Sequence, residues 1–105
     1  MSTISCHVLD TAAGRPVAGM EVVLDRAGGG GWQRLGSGVT DADGRVHELA
    51  PDGLSAGVHR LVFATSAASP FYPEVAVTFV AAAAGERYHI PLLLSPYGYS
   101  TYRGS

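Results

Sequence analysis

Glycine and proline interrupt this chain so often that no long helix fits between them. Fourteen glycines and six prolines fall among 105 residues. The stretches they leave alternate apolar and polar with the period of two that a strand requires. "ISCHVLD" sets Ile4, Cys6 and Val8 against Ser5 and His7, and "VHRLVFAT" sets Val58, Arg60 and Val62 against His59, Leu61 and Phe63. "MEVVLDR", "GWQRLGSGVT", "RVHEL", "VAVTFVAAA", "RYHIPLLL" and "YSTYR" read as further strands. Between them lie "DTAAGRPVAG", the hairpin loop "AGGGG", the tight turn Asp41-Ala42-Asp43-Gly44, "APDGLSAG" and "SAASPFYPE". The alanine run 81–84 favours helix by propensity but is too short to form one alone. About eight short strands with a turn every 8–12 residues or so predict an all-β sandwich or barrel.

At this length one domain over residues 1–105 is expected, marginal by itself. Charged residues make up 15% and the net charge is −2, which points away from nucleic acid and anionic membranes as partners. So little charge leaves weakly polar surface that association with other copies would cover. The lone Cys6 excludes an intrachain disulfide, and its place in an alternating strand marks it as a small buried hydrophobe. No apolar run approaches a membrane span, and "MSTISCHVLD" has no basic-then-apolar segment of a signal peptide, so the cytoplasm is the expected compartment.

Two strands carry an unusual second face. With Ile4, Cys6 and Val8 inward, His7 points outward beside Ser5 and Leu9; with Tyr88, Ile90, Leu92 and Leu94 inward, His89 points outward beside Pro91 and Leu93. A solvated sheet face would carry lysine, glutamate and threonine. Imidazoles mixed with leucine suggest a face covered by another subunit, with a polar pocket inside it. Pro91 suggests an edge or a bulge. Arg45 after the Asp-Gly turn and Arg103 near the end are, by position alone, ordinary solvated charges, and His47 and His59 read as surface or packing residues. These patterns name no substrate.

Three stretches do more. "HVLDTAAGRPVAGMEVVL" (His7–Leu24), "GVTDADGRV" (Gly38–Val46) and "YHIPLLLSPYGYSTYRGS" (Tyr88–Ser105) resemble the 5-hydroxyisourate hydrolases, the transthyretin-related proteins, and the resemblance runs from Ile4 to Ser105. The ending Tyr102-Arg103-Gly104-Ser105 is that family's signature, which transthyretin itself lacks. The resemblance implies a transthyretin-like sandwich of eight strands, with the first, fourth, seventh and eighth in one sheet. It also implies a homotetramer, a dimer of dimers, with active sites where the dimers meet. The implied reaction hydrolyses the N1–C6 amide of 5-hydroxyisourate without a cofactor. His7 and His89 would activate water and transfer protons, with the division between them open. Arg45 would bind and polarise the substrate, and Arg103, Tyr102 and Ser105 with its terminal carboxylate would complete the pocket. Imidazole suits proton transfer at neutral pH; burial near Arg45 and Arg103 would keep it neutral, and the guanidiniums fit an oxygen-rich heterocycle.

The match departs from the family between the fifth and sixth strands, where "TSAASPFYPE" is too short for the usual helix. Two other readings compete: a carrier of small aromatic ligands without turnover, and a zinc site built from two histidines and a terminal carboxylate, for which no closely spaced His or Cys pair speaks.

Overall fold

Alternation decides which side of the strands Thr3–Asp10 and Gly57–Phe63 is buried, and the sheets follow. The computed structural model describes residues 2–82 and 85–105; the last two alanines of the 81–84 run lie outside them. In chain order the strands are β1 (Thr3–Asp10), the two-residue β2 (Arg15–Pro16), β3 (Glu21–Gly28), β4 (Gly31–Val39), the short β5 (Arg45–Val46), β6 (Gly57–Phe63), β7 (Val75–Ala81), β8 (Arg87–Ser95) and β9 (Gly98–Thr101). No helix occurs among the described residues.

One sheet has the order β2-β1-β8-β9, with β5 also pairing β1; the other has the order β4-β3-β6-β7. Ile4, Cys6 and Val8 of β1, with Ile90, Leu92 and Leu94 of β8, face Val22, Leu24, Leu61 and Phe63 of the second sheet, and all ten are buried in one core. The two-sheet sandwich and the grouping of the first and last strands are therefore as expected, with β2 an addition inside the first loop.

Two strands are shorter than their sequence runs. "RVHEL" pairs only through Arg45 and Val46: beyond them the Glu48 carboxylate takes the backbone N–H groups of Ile4 (3.3 Å) and Ala50 (2.8 Å) in place of a ladder partner, while the Leu49 N–H still donates to the Ile4 carbonyl at 2.9 Å. "YSTYR" stops at Thr101. Pro91 of β8 stands next along the register and has no N–H to offer Tyr102. Pro91 thus lies neither on an edge strand nor at a bulge: β8 is flanked by β1 and β9, and the proline sits where β9 gives out. The short 65–74 segment holds a single turn, in which the Thr65 carbonyl accepts from the Ala68 and Ser69 N–H groups at 2.9 Å. The Ser69 hydroxyl then donates to the Pro96 carbonyl at 2.8 Å, tying this loop to the β8–β9 turn.

His59 is a packing residue, fully buried and stacked on Phe79 at 5.8 Å. Its Nδ1 bonds the Gly57 carbonyl at 3.1 Å, while Nε2 is buried without a partner. Burial, aided by the nearby Arg26 charge, holds its pKa below the ordinary histidine value. The unfolded chain therefore takes this proton first, so stability is full above about pH 6.5 and declines as the pH falls below it. In urea titrations, His59→Phe is expected to lose less stability than the wild type between about pH 7.5 and about pH 5; an equal loss in both would show that the folded and unfolded chains bind this proton alike.

Candidate active site

The outer face of the β1–β8 sheet is assembled by two registers. Parallel pairing sets Ser5 opposite His89 and His7 opposite Pro91. On the other side of β1, antiparallel pairing sets Arg45 opposite His7. Paired residues of a sheet share a face, so Ser5, His7, Arg45 and His89 come together although up to 84 residues separate them in the chain. The His7 and His89 rings lie 6.4 Å apart between centroids, tilted by 35°. Both are partly buried, flanked by the half-buried Leu9 and Leu93.

The Asp41–Gly44 turn seats Arg45 and holds His7. Asp41 accepts the N–H groups of Asp43 (2.9 Å) and Arg45 (3.0 Å) on one carboxylate oxygen. The Arg45 N–H bond is the main cause that holds this carboxyl below the usual range. Gly44 takes φ = 75° and lies so close to β1 that a Cβ there would be 2.5 Å from the Val8 carbonyl oxygen. Val8 in turn donates its N–H to the Gly44 carbonyl at 2.8 Å. With the turn pressed against β1, the Asp43 carbonyl meets His7 Nε2 at 2.9 Å.

His89 is held from the opposite side, its Nδ1 lying 2.8 Å from the Ser5 hydroxyl. Its pKa is depressed first by burial, then by the charges of Arg45 and His7. The direction is the one expected for a neutral imidazole, with Arg45 rather than Arg103 as its cationic neighbour. Cys6, one residue from His7, faces the core, and burial pushes its thiol up to about 11. Among the described residues, no group of three or more His, Cys, Asp or Glu is placed to hold a metal ion.

Beyond β9 the tail keeps to β8. The Thr101 hydroxyl donates to the Pro91 carbonyl at 2.7 Å, and the Gly104 N–H donates to the His89 carbonyl at 2.7 Å. Arg103 reaches Tyr88, with its guanidinium carbon 4.7 Å from the ring centroid, and pairs with Glu86 at 3.6 Å. Tyr88 points to the opposite face of β8 from His89. Tyr102 and Arg103 line a groove there with Val77, Phe79, Val80 and Tyr88. Within one chain, then, the site gathers His7, Arg45 and His89, and the tail reaches it through Gly104. The Arg103 guanidinium does not join the histidines, and Ser105 is exposed.

Residues 4–104 match the sequence profile of the HIUase/Transthyretin family. The chain belongs to that family. It is 45% identical over 109 residues to the 5-hydroxyisourate hydrolase of Salmonella dublin, covering 97% of this chain and 80% of the relative. Among solved structures, Klebsiella pneumoniae 5-hydroxyisourate hydrolase superposes with a TM-score of 0.87 at 36% identity, over 100% of both chains. Sea bream transthyretin, solved in complex with thyroxine, superposes with a TM-score of 0.88 at 32% identity, over 96% of this chain and 93% of that one. The fold therefore spans both branches of the family.

Three contributors were not singled out from the sequence. Ser5 belongs to the outward face of β1, but its partner is known only once the β1–β8 register is. Asp43 acts through its backbone carbonyl, which no side chain advertises. Gly104 acts through the absence of a side chain: a Cβ there would lie 2.7 Å from His89 Cδ2 and 3.2 Å from both the His89 carbonyl oxygen and Pro91 Cγ. Gly104→Ala is therefore expected to lift the tail from His89, seen as faster amide hydrogen exchange at position 104 with a nearly unchanged melting temperature. Unchanged exchange there would mean that the His89 ring yields instead.

Proposed function

We propose that the protein hydrolyses 5-hydroxyisourate to 2-oxo-4-hydroxy-4-carboxy-5-ureidoimidazoline, opening the six-membered ring at its N1–C6 amide. The observation that carries this reading is the convergence of His7, Arg45 and His89 on one outer face, in a chain whose relatives include named 5-hydroxyisourate hydrolases. A histidine takes a proton from water as the water oxygen adds to C6. The oxyanion that forms is stabilised by the Arg45 guanidinium. Collapse breaks the C6–N1 bond, and the histidine returns its proton to N1. No metal or organic cofactor enters this scheme.

Tyr102, Arg103 and Ser105 complete the proposal as contacts from the tail. In the isolated chain Arg103 is engaged by Glu86 and Tyr88, so contact with the substrate would require its release from both. A homotetramer, with sites at the meeting of two dimers, is part of the same reading. It is supported by the half-buried leucines that accompany the histidines outward, and sedimentation equilibrium should return about four chain masses. The cytoplasm is the compartment proposed. No helix is long and apolar enough to cross a membrane among the described residues.

The deciding assay follows the absorbance of freshly generated 5-hydroxyisourate, from urate and urate oxidase, with and without the protein. Accelerated decay is expected, and saturable binding without it would favour a carrier like transthyretin. His7→Ala and His89→Ala are each expected to lower turnover by about 10²–10⁴-fold. Because His89 is depressed below the ordinary histidine value, it remains a neutral base as the pH falls through about 6.5. The acid limb of kcat/KM should therefore lie below that value. Arg45→Met, which removes one of the depressing charges, should move that limb upward as well as weakening catalysis; a limb that stays in place would exclude His89 as the titrating base.

A further inference from the structure

We propose that Ser5 is a positioning residue that fixes the tautomer of His89, leaving His89 Nε2 as the lone pair that receives the proton of water. This rests on the hydrolase reading above for the last step only; the tautomer itself follows from the hydrogen bonds. The Ser5 hydroxyl lies 2.8 Å from His89 Nδ1 and 3.5 Å from the Tyr88 carbonyl oxygen. A hydroxyl has one proton to give, and a carbonyl can only accept. If Ser5 donates to Tyr88, then Nδ1 must carry a hydrogen to donate to the serine oxygen, and both contacts are made. If Ser5 instead donates to Nδ1, no proton is left between it and Tyr88. The arrangement that satisfies both contacts places the hydrogen on Nδ1 and frees Nε2, the ring nitrogen farther from the β8 backbone.

His7 is held in the complementary form. Its Nε2 meets the Asp43 carbonyl at 2.9 Å, and since that oxygen only accepts, Nε2 carries the hydrogen. The outer nitrogen of His7 is therefore a fixed donor, and the outer nitrogen of His89 is the free acceptor. The two histidines, equivalent by strand parity, are made inequivalent by their neighbours. The charge environment agrees: besides burial, the neighbouring Arg45 and His7 act to lower the affinity of His89 for a second proton.

Register keeps Ser5 in this role. It is the parallel-ladder partner of His89, so the contact is made by two facing side chains on rigid strands rather than by a loop. The outward-facing serine two residues before His7 in "ISCH" thus serves not its sequence neighbour but the histidine 84 residues away.

Long-range ¹⁵N–¹H spectra of the histidine rings, recorded across a pH series and compared at its alkaline end, read the tautomers directly. The wild type should show His89 with its hydrogen on Nδ1 and His7 with its hydrogen on Nε2. Ser5→Ala should shift His89 toward the Nε2–H form and lower kcat by about 10–100-fold, the scale of losing a group that orients a catalytic histidine, with little change in KM. Ser5→Thr should restore both. A wild-type His89 protonated on Nε2 would overturn the proposal, and so would a Ser5→Ala protein with unchanged ring spectra and unchanged kcat. The wild-type spectrum decides the tautomer even if Ser5→Ala fails to fold. A wild type with the Nδ1–H form but no turnover would sink the hydrolase reading while upholding the tautomer.

Discussion

The parallel pairing of β1 with β8 is the contact on which the rest of the molecule depends. It joins the beginning of the chain to its end and lays Ile4, Cys6 and Val8 beside Ile90, Leu92 and Leu94 on the buried face. The same pairing, read on the opposite face, places Ser5 against His89 and brings His7 within reach of both. Because strand side chains alternate with a period of two, a slip of one residue would bury the histidines and expose the core. The hydrophobic effect therefore enforces the geometry of the polar face: the free energy that closes the sandwich also aims the imidazoles.

The groups that orient these imidazoles are neutral. A carbonyl holds His7 and a hydroxyl holds His89, where a carboxylate would do the same positional work but raise the affinity of the ring for a second proton. With Arg45 alongside and, among the described residues, no anion bonded to either ring, a second proton on His89 is disfavoured. Such a face can withdraw a proton from water at neutral pH and offer a guanidinium to a developing oxyanion. The carboxylates nearby are occupied with backbone, Asp41 within its own turn and Glu48 with Ile4 and Ala50.

Much of this was legible in the sequence. Glycine and proline breaks located the strands longer than two residues, and period-two alternation in β1 and β8 turned His7 and His89 outward. The Asp-Ala-Asp-Gly turn was recognisable because its chemistry is local. The resemblance of the tail and of two other stretches supplied the sheet grouping and the reaction. What escaped was relational: Ser5 matters through its partner across a ladder, Asp43 through a backbone atom, and Gly104 through a missing one. The lengths of two strands were overestimated because their ends depend on competitors, the Glu48 side chain in one case and the imino nitrogen of Pro91 in the other. Arg103 was expected beside the histidines, yet the chain on either side of it places Tyr88 and Glu86 within reach first.

Pro91 has one more effect. By ending the β9 ladder one residue early, it leaves the last residues joined to the sheet by one backbone hydrogen bond, from Gly104 to the His89 carbonyl, and by exposed side-chain contacts. The tail, proposed above as part of the site, is thus held to the body of the domain by few contacts. Substitutions in the tail should therefore disturb the fold little, whereas substitutions in β1 or β8 reach the core and the histidine face at once.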